Sequence, residues 1–216
     1  RDDVAAHVGY VLVDAGRPKA RRAIIGEPTG LRPIRLHKGC GMERLELVGR
    51  TGHSSDPAHG ASALEGMHAA IGALLAARDS LSHLRREELT PPHSTINLGR
   101  IEGGDNPNRI CGRCVLTYDL RLVPGLDPEE VRAAIRRGVA KAVEGRGLSI
   151  HHCALVPYVP AFETDADAEL VLAAERLTGH TAGGVSFGTE APFLTALGME
   201  TLVLGPGAIA VAHQPD

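Results

Sequence analysis

Two side chains near opposite ends of the chain have the types and surroundings of metal ligands. Glu27 comes two residues after a short apolar run, Arg22–Ile25, which predicts a buried strand. His213 follows a second apolar segment and the loop Gly205–Gly207. Carboxylates and neutral imidazoles bind Zn²⁺, and open α/β sheets hold ligands beyond the carboxyl ends of their strands. Each residue also fits an exposed position, a turn glutamate and a histidine near a chain end, so neither identifies a site alone.

Four further polar residues lie in loops or at the ends of predicted elements. His53 lies in a loop of small residues, where a neighbouring serine lacks the strand–turn–helix elbow that a catalytic serine needs. Asn108 follows a Gly-Gly-Asp turn, and Arg121 ends a predicted strand. An arginine there either binds a substrate carboxylate or pairs with Asp119. Glu190 begins a short predicted helix, where the helix dipole favours an acid.

The four cysteines do not form a recognisable metal or disulfide framework. Cys111 and Cys114 are three residues apart inside a predicted strand, 109–123, where their side chains would point to opposite faces. No second pair with this spacing exists to complete a zinc site. We therefore interpret the cysteines as structural residues.

The middle of the chain predicts a β-α-β-β-α-β order, which is typical of ferredoxin-like domains. Alternation of apolar and polar residues predicts its strands, and apolar residues three and four apart predict its helices. Asp127 and the proline after it are a strong helix-start signal. The predicted elements are strand 40–50, helix 60–81, strands 94–101 and 109–123, a helix after Asp127, and strand 148–156.

The flanking segments predict an α/β domain that the ferredoxin-like segment interrupts. Strands and helices alternate there, as in α/β layers. The predicted flanking elements are helix 4–15, strand 22–25, helix 167–178, helix 190–196 and strand 201–204. We thus expect an incomplete catalytic domain formed by 1–36 and 154–216, with a lid or dimerisation domain over 37–153.

Composition excludes several classes of function. The 216 residues carry a net charge of −3 and only 3% aromatic residues, so neither phosphate neutralisation nor base stacking is supported. The longest apolar run, 69–77, is too short to span a bilayer. The first residues lack the pattern of a signal peptide. We expect a cytoplasmic protein that binds neither nucleic acid nor membranes.

Taken together, the motifs resemble the co-catalytic zinc amidohydrolase family, which includes aminoacylases and carboxypeptidases, and within it the acetylornithine deacetylases. The similar segments occur in the family's order along nearly the whole chain. They are Ile25–Thr29, His37–Gly39, Gly52–Pro57, Gly103–Asp105, Asn108–Cys111, Asp119–Arg121, Thr189–Phe193, Leu204–Gly207 and Ala212–Asp216.

The resemblance implies an α/β catalytic domain with a ferredoxin-like lid that also forms a homodimer. It implies two zinc ions, with cobalt as an alternative metal, bridged by an aspartate and by the water that attacks the amide. By the same resemblance, Glu27 and His213 are ligands of different metals. His53 would stabilise the oxyanion in the partner subunit's site. Asn108 and Arg121 correspond to positions that hold the substrate.

The family's adjacent pair of glutamates, general base and then metal ligand, corresponds by resemblance to Asp2 and Asp3. Each aspartate is one methylene shorter than a glutamate, and Arg1 stands where an aspartate is expected. A base displaced by about 1 Å loses on the order of a hundredfold in rate. The family's upstream ligands and bridging aspartate have no counterpart in this sequence, so we expect a segment of a longer enzyme or a degraded paralogue.

The activity implied by this resemblance is deacetylation of N-acetyl-L-ornithine to ornithine and acetate, a step of arginine biosynthesis. Two alternatives stay open. One is a sister amidohydrolase, such as a succinyl-diaminopimelate desuccinylase or an N-acyl amino acid hydrolase. The other is a dimerisation module that has lost its chemistry, because a fold alone does not establish an activity.

Overall fold

A computed structural model describes residues 15–16 and 18–208. Three candidate site residues, Asp2, Asp3 and His213, lie outside the described residues, as does nearly all of the predicted helix 4–15. In the described part, no helix has both the length and the hydropathy that crossing a membrane requires.

The described part contains nine strands and four α-helices. In chain order they are β1 (Arg22–Ile25), β2 (Ile34–His37), β3 (Gly39–Val48), α1 (Ala63–Leu81), β4 (Thr95–Gly103), β5 (Arg113–Leu122), α2 (Pro128–Ala142), β6 (Ser149–Ala154), β7 (Phe162–Glu163), α3 (Glu169–Thr178), β8 (Gly183–Val185), α4 (Ala191–Ala196) and β9 (Glu200–Val203). A short 3₁₀ turn, Pro57–His59, precedes α1.

The elements β3, α1, β4, β5, α2 and β6 form the predicted ferredoxin-like unit. Their strands make an antiparallel sheet in the order β4-β5-β3-β6. Side chains from one face of this sheet pack against α1 and α2, and Leu45, Leu47, Met67 and Leu74 are fully buried. Each such side chain contributes about 1.5–3 kcal/mol on burial. The predicted fold class is confirmed.

A capping side chain precedes the first residue of each long helix in this unit. The side chain of Ser62 accepts a hydrogen bond from the Glu65 amide at 3.2 Å, and α1 begins at the next residue. Asp127 accepts hydrogen bonds from the amides of Glu129 and Glu130 at 2.8 and 3.5 Å, as its N-cap role predicts.

One predicted strand begins later than expected. The segment before Arg113 pairs with the loop that carries His53, because the Ile110 amide bonds to the Gly52 carbonyl at 2.8 Å. Cys111 therefore lies before β5, and the opposite-face argument for the two cysteines was wrong in its premise. Cys111 and Cys114 are nevertheless buried and free, as a structural role requires.

The flanking segments form a second, mixed sheet in the order β1-β9-β2-β7, with β8 paired to β2. Strands β1 and β9 are parallel, and their last residues, Ile25 and Val203, lie side by side. The sequence patterns do not predict β2, β7 and β8, which have two to four residues each and, unlike the equally short β1 and β9, contain no run of apolar residues.

The two sheets join where β2 continues through Lys38 into β3. A loop of the inserted unit, residues 82–94, packs against this junction and forms a hydrogen bond with it. Leu89 packs against Leu36 and Val123, and the Lys38 ammonium donates to the His93 carbonyl at 2.7 Å. The return connection passes Tyr158, which fills the space beside Gly39, so that any side chain at this glycine would clash.

Candidate active site

Glu27 lies just beyond the carboxyl ends of two parallel strands. Its amide bonds back to the Ile25 carbonyl at 3.1 Å, and the Leu204 amide bonds to the same carbonyl at 2.9 Å. The half-buried Glu27 side chain thus occupies the place where α/β sheets hold ligands, as the sequence predicts.

The loop after β9 lies against the Glu27 segment over several residues. The Thr29 hydroxyl and the Gly205 backbone exchange hydrogen bonds at 3.3 and 3.2 Å, and the Gly30 amide bonds to the Gly207 carbonyl at 2.6 Å. A side chain at Gly205 would place its Cβ 2.5 Å from the Glu27 carbonyl oxygen. This close approach requires glycine.

This contact continues to the end of the described chain. Thr29 and Ala208 form an antiparallel bridge, and Ala208 precedes His213 by five residues. The described structure therefore brings the segment of Glu27 alongside the chain that leads to His213. The position of His213 itself stays a prediction.

His53 and Asn108 lie together in two neighbouring loops. The Ser54 amide bonds to the Asn108 carbonyl at 3.0 Å, and His53 forms an antiparallel bridge with Arg109. These loops line an open cavity of about 340 Å³, and the His53 side chain is exposed. Arg109 also forms an exposed ion pair with Asp105 on the other side of Asn108 in the chain.

Ser55 determines which nitrogen of His53 can donate a hydrogen bond. The Ser55 amide donates to Nδ1 of His53 at 3.2 Å, and the Ser55 hydroxyl lies 2.7 Å from the same nitrogen. Because Nδ1 accepts, the neutral ring carries its proton on Nε2. That N–H is a suitable donor to a developing oxyanion.

Arg121 lies at the other end of the inserted sheet, next to the junction with the larger sheet. It faces Cys40 across the ladder, and its guanidinium Nε donates to the Asp119 carboxylate at 2.8 and 3.1 Å. Burial, and then the nearby Arg121 charge, lower the pKa of Lys38. The Asp119–Arg121 pair is thus present, and a substrate carboxylate would have to share Arg121 with it.

The two groups of candidate residues are far apart within one chain. Arg113 and Arg121 are eight residues apart on β5, which corresponds to about 26 Å. His53 and Asn108 adjoin the Arg113 end, whereas Arg121 and the larger sheet adjoin the other end. The fold does not bring His53 and Arg121 of the same chain together.

Three further residues, to which sequence analysis assigned no role, meet at the junction. They are His37, Lys38 and Thr189. His37 is fully buried, and its Nε2 lies 3.1 Å from the Thr189 hydroxyl, while the Thr189 amide donates to it at 3.2 Å. The His-Lys-Gly and Thr-Glu-Ala-Pro-Phe motifs marked both segments, but only the fold shows that residues 152 positions apart touch.

The described residues do not form a metal site by themselves. Among residues 18–208, no three His, Cys, Asp or Glu side chains lie close enough to hold a metal ion. Glu27 fits the role of an oxygen ligand by its position, and the other candidate ligands fall outside the described ranges. A metal site that includes Glu27 would therefore need ligands beyond the residues that the structure describes.

Comparisons with known proteins agree with this architecture. Residues 35–146 match the model of the peptidase dimerisation domain of the M20 type. Acetylornithine deacetylases of Salmonella arizonae and Salmonella enteritidis are 45% identical over 195 residues, which cover 90% of this chain and 51% of those proteins. The chain thus spans about half the length of these curated relatives.

Solved structures share the fold at lower identity. Aminopeptidase PepT from Bacillus cereus has a TM-score of 0.70 at 20% identity, over 93% of this chain and 54% of that one. A tripeptidase from Staphylococcus aureus has a TM-score of 0.68 at 18% identity, over 93% and 53%. Since the matched domain covers just over half of the 216 residues, the chain belongs to the M20 peptidase family.

Proposed function

We propose that this chain is part of a metal-dependent amide hydrolase that converts N-acetyl-L-ornithine to ornithine and acetate in arginine biosynthesis. The observation that carries the proposal is the edge where the Glu27 segment and the loop leading to His213 are hydrogen-bonded to each other. The 45% identity to acetylornithine deacetylases supports this substrate over those of sister enzymes.

The family relation implies a metal cofactor, and we propose zinc, with cobalt as the alternative. Glu27, His213 and Asp3 would hold it, and Asp2 would be the general base. When bound, the metal would supply a Lewis acid for the amide carbonyl and activation of water. Glu27 supports this assignment through its place at the strand ends, with its backbone held by Ile25 and Gly205.

We propose that the working unit is a homodimer formed through residues 37–153, the lid, while 1–36 and 154–216 belong to the catalytic domain. The distance of about 26 Å along β5 separates His53 from the junction of its own chain. His53 and Asn108 would therefore reach the site of a second copy. There the Nε2–H of His53 would stabilise the oxyanion, and Asn108 would contact the substrate.

Arg121, at the junction end, would bind the substrate's carboxylate in its own subunit. Its pair with Asp119 orients the guanidinium, whose planar fork of N–H donors matches the geometry of a carboxylate. The proposed role corresponds to a cytoplasmic enzyme whose partners are small N-acyl amino acids and a second copy of itself. The net charge of −3 supports no role in nucleic-acid binding.

The test is acetate release by the full-length metal-loaded protein, measured beside N-succinyl-diaminopimelate and a panel of other N-acetyl amino acids. We expect N-acetylornithine to have the highest kcat/KM and the protein to carry about two metal ions per chain. Glu27→Gln should abolish turnover and lower metal content, whereas the exposed Glu102→Gln should change neither. A preference for another substrate would support a sister hydrolase. Absence of metal and turnover would support a dimerisation module.

A further inference from the structure

His37 lies where both connections between the two sheets meet. It is the last residue of β2, directly before Lys38 and the inserted unit. The return connection enters β7 at Phe162, whose ring centroid lies 5.3 Å from that of His37 at an angle of 43°. His37 and Phe162 also pair in the ladder between β2 and β7. The His37 side chain therefore lies at both connections between the larger sheet and the inserted unit.

The hydrogen bonds of His37 define a single tautomer. Nδ1 lies 2.9 Å from the Lys38 carbonyl oxygen, which can only accept, so Nδ1 carries the proton. Nε2 then accepts from the Thr189 amide at 3.2 Å. Burial lowers the pKa of His37 to about 4, which keeps the ring neutral and Nε2 an acceptor near pH 7.

Thr189 transmits this contact to the strands beside Glu27. Its hydroxyl accepts from the Ala191 amide at 3.1 Å, so Thr189 holds the first residue of α4. Ala191 is fully buried in one cluster with Ile25 and Val203, the last residues of the two strands that lead to Glu27 and Gly205. The Glu190 side chain makes no capping bond of its own.

We propose that His37 is a positioning residue that acts through Thr189, holding the Thr189–Glu190 turn and the strand ends that carry Glu27 in register with the lid. The hydrogen bond from the Thr189 amide to Nε2 is the connection on which this depends. The inference rests on the proposed function for its effect on turnover, but the contact itself does not.

Two substitutions distinguish the roles of the two ring nitrogens of His37. In His37→Asn, the amide reaches the Nδ1 position and can still donate to the Lys38 carbonyl, but nothing reaches Thr189. In His37→Gln, the longer side chain can place an oxygen near the Nε2 position and accept from the Thr189 amide. Both variants remove the tilted ring contact with Phe162, so a comparison between them isolates the acceptor.

The test compares amide hydrogen exchange and steady-state kinetics of both variants in the full-length protein. In His37→Asn, exchange over residues 186–193 should become about fivefold faster or more, the factor that one net hydrogen bond represents. Its kcat should fall about 10- to 100-fold with metal content unchanged. His37→Gln should recover most of both effects.

Three results would overturn the inference. The first is an equal amide exchange rate over 186–193 in the Asn and Gln variants, and the second is an exchange rate in both variants that equals the parent's. The third is faster exchange in His37→Asn with a kcat equal to that of an active parent enzyme. If the parent protein fails to hydrolyse N-acetylornithine, the proposed function fails instead. The exchange comparison then still decides whether His37 holds the turn.

Discussion

At the scale of single residues, two histidines that the motifs mark, His37 and His53, lie in opposite surroundings. His53 is exposed, and its contact with Ser55 leaves the proton of the neutral ring on Nε2, as the proposed contact with a substrate requires. His37 is fully buried and uses both nitrogens within the protein. Sequence analysis gave His53 a candidate role and His37 none, although each lies in a short motif beside glycine. Burial and tautomer thus support the proposed substrate contact for His53 and the proposed positioning role for His37.

The buried His37 predicts a pH dependence of stability. Its pKa is about 4 in the folded protein and 6.5 ordinarily, so between these values the unfolded chain binds a proton that the folded protein does not. Stability therefore falls as pH falls from about 6.5 to 4, by on the order of 3 kcal/mol. Burial is the main cause of the shift, and the carbonyls of Lys38 and His37 oppose it.

Urea unfolding at several pH values between 4 and 7.5 measures this effect. His37→Gln removes the titrating group, so its free energy of unfolding should lose about 3 kcal/mol less than that of the parent over the same range. His152, whose pKa burial also lowers, remains in both proteins and cancels in the comparison. Parallel curves for the two proteins would show that His37 titrates normally.

At the scale of elements, close backbone approach explains how the candidate metal edge is held. Gly205 allows the loop after β9 to pass directly over the Glu27 backbone. The Thr29 hydroxyl then satisfies the Gly205 amide at 3.2 Å. The Gly-Glu-Pro-Thr and Leu-Gly-Pro-Gly motifs are thus two sides of one backbone contact, which their separation along the chain conceals.

Gly205→Ala should damage this edge. The added Cβ would lie 2.5 Å from a backbone oxygen of Glu27, so the two loops would have to separate, at a cost of about 1–3 kcal/mol. We expect a lower melting temperature together with weaker metal binding. The matched control is Gly183→Ala, where a Cβ meets nothing within 4 Å. If both variants bind metal like the parent, Gly205 does not determine the geometry at Glu27.

The elements of the inserted sheet can be predicted from sequence more completely than those of the larger sheet, for a physical reason. The inserted unit has strands of 6–10 residues and long helices, so its periodicity and caps predicted every element. The larger sheet contains strands of two to four residues, held by partners more than a hundred residues away. Tertiary packing determines its strands β2, β7 and β8. It also brings His37 to Thr189, and no local sequence pattern predicts either feature.

At the scale of the whole molecule, the inserted sheet acts as a spacer. It holds His53 and Asn108 at one end and Arg121 at the other, about 26 Å apart along β5. Under the proposed function, a single chain would present two incomplete halves of one site. Two copies related by a twofold axis would complete both sites at once, because each lid end would meet the other catalytic domain.

Mixed dimers of full-length protein test this sharing most directly. Glu27→Gln and His53→Ala should each be nearly inactive alone, the first through the metal and the second through a loss of about 10²–10³ in kcat. After unfolding and refolding in equal amounts, half of the dimers are mixed, and each mixed dimer has one intact site. We predict about a quarter of the parent's specific activity. A mixture that stays as inactive as its components would show that His53 serves its own chain, and would contradict the shared site.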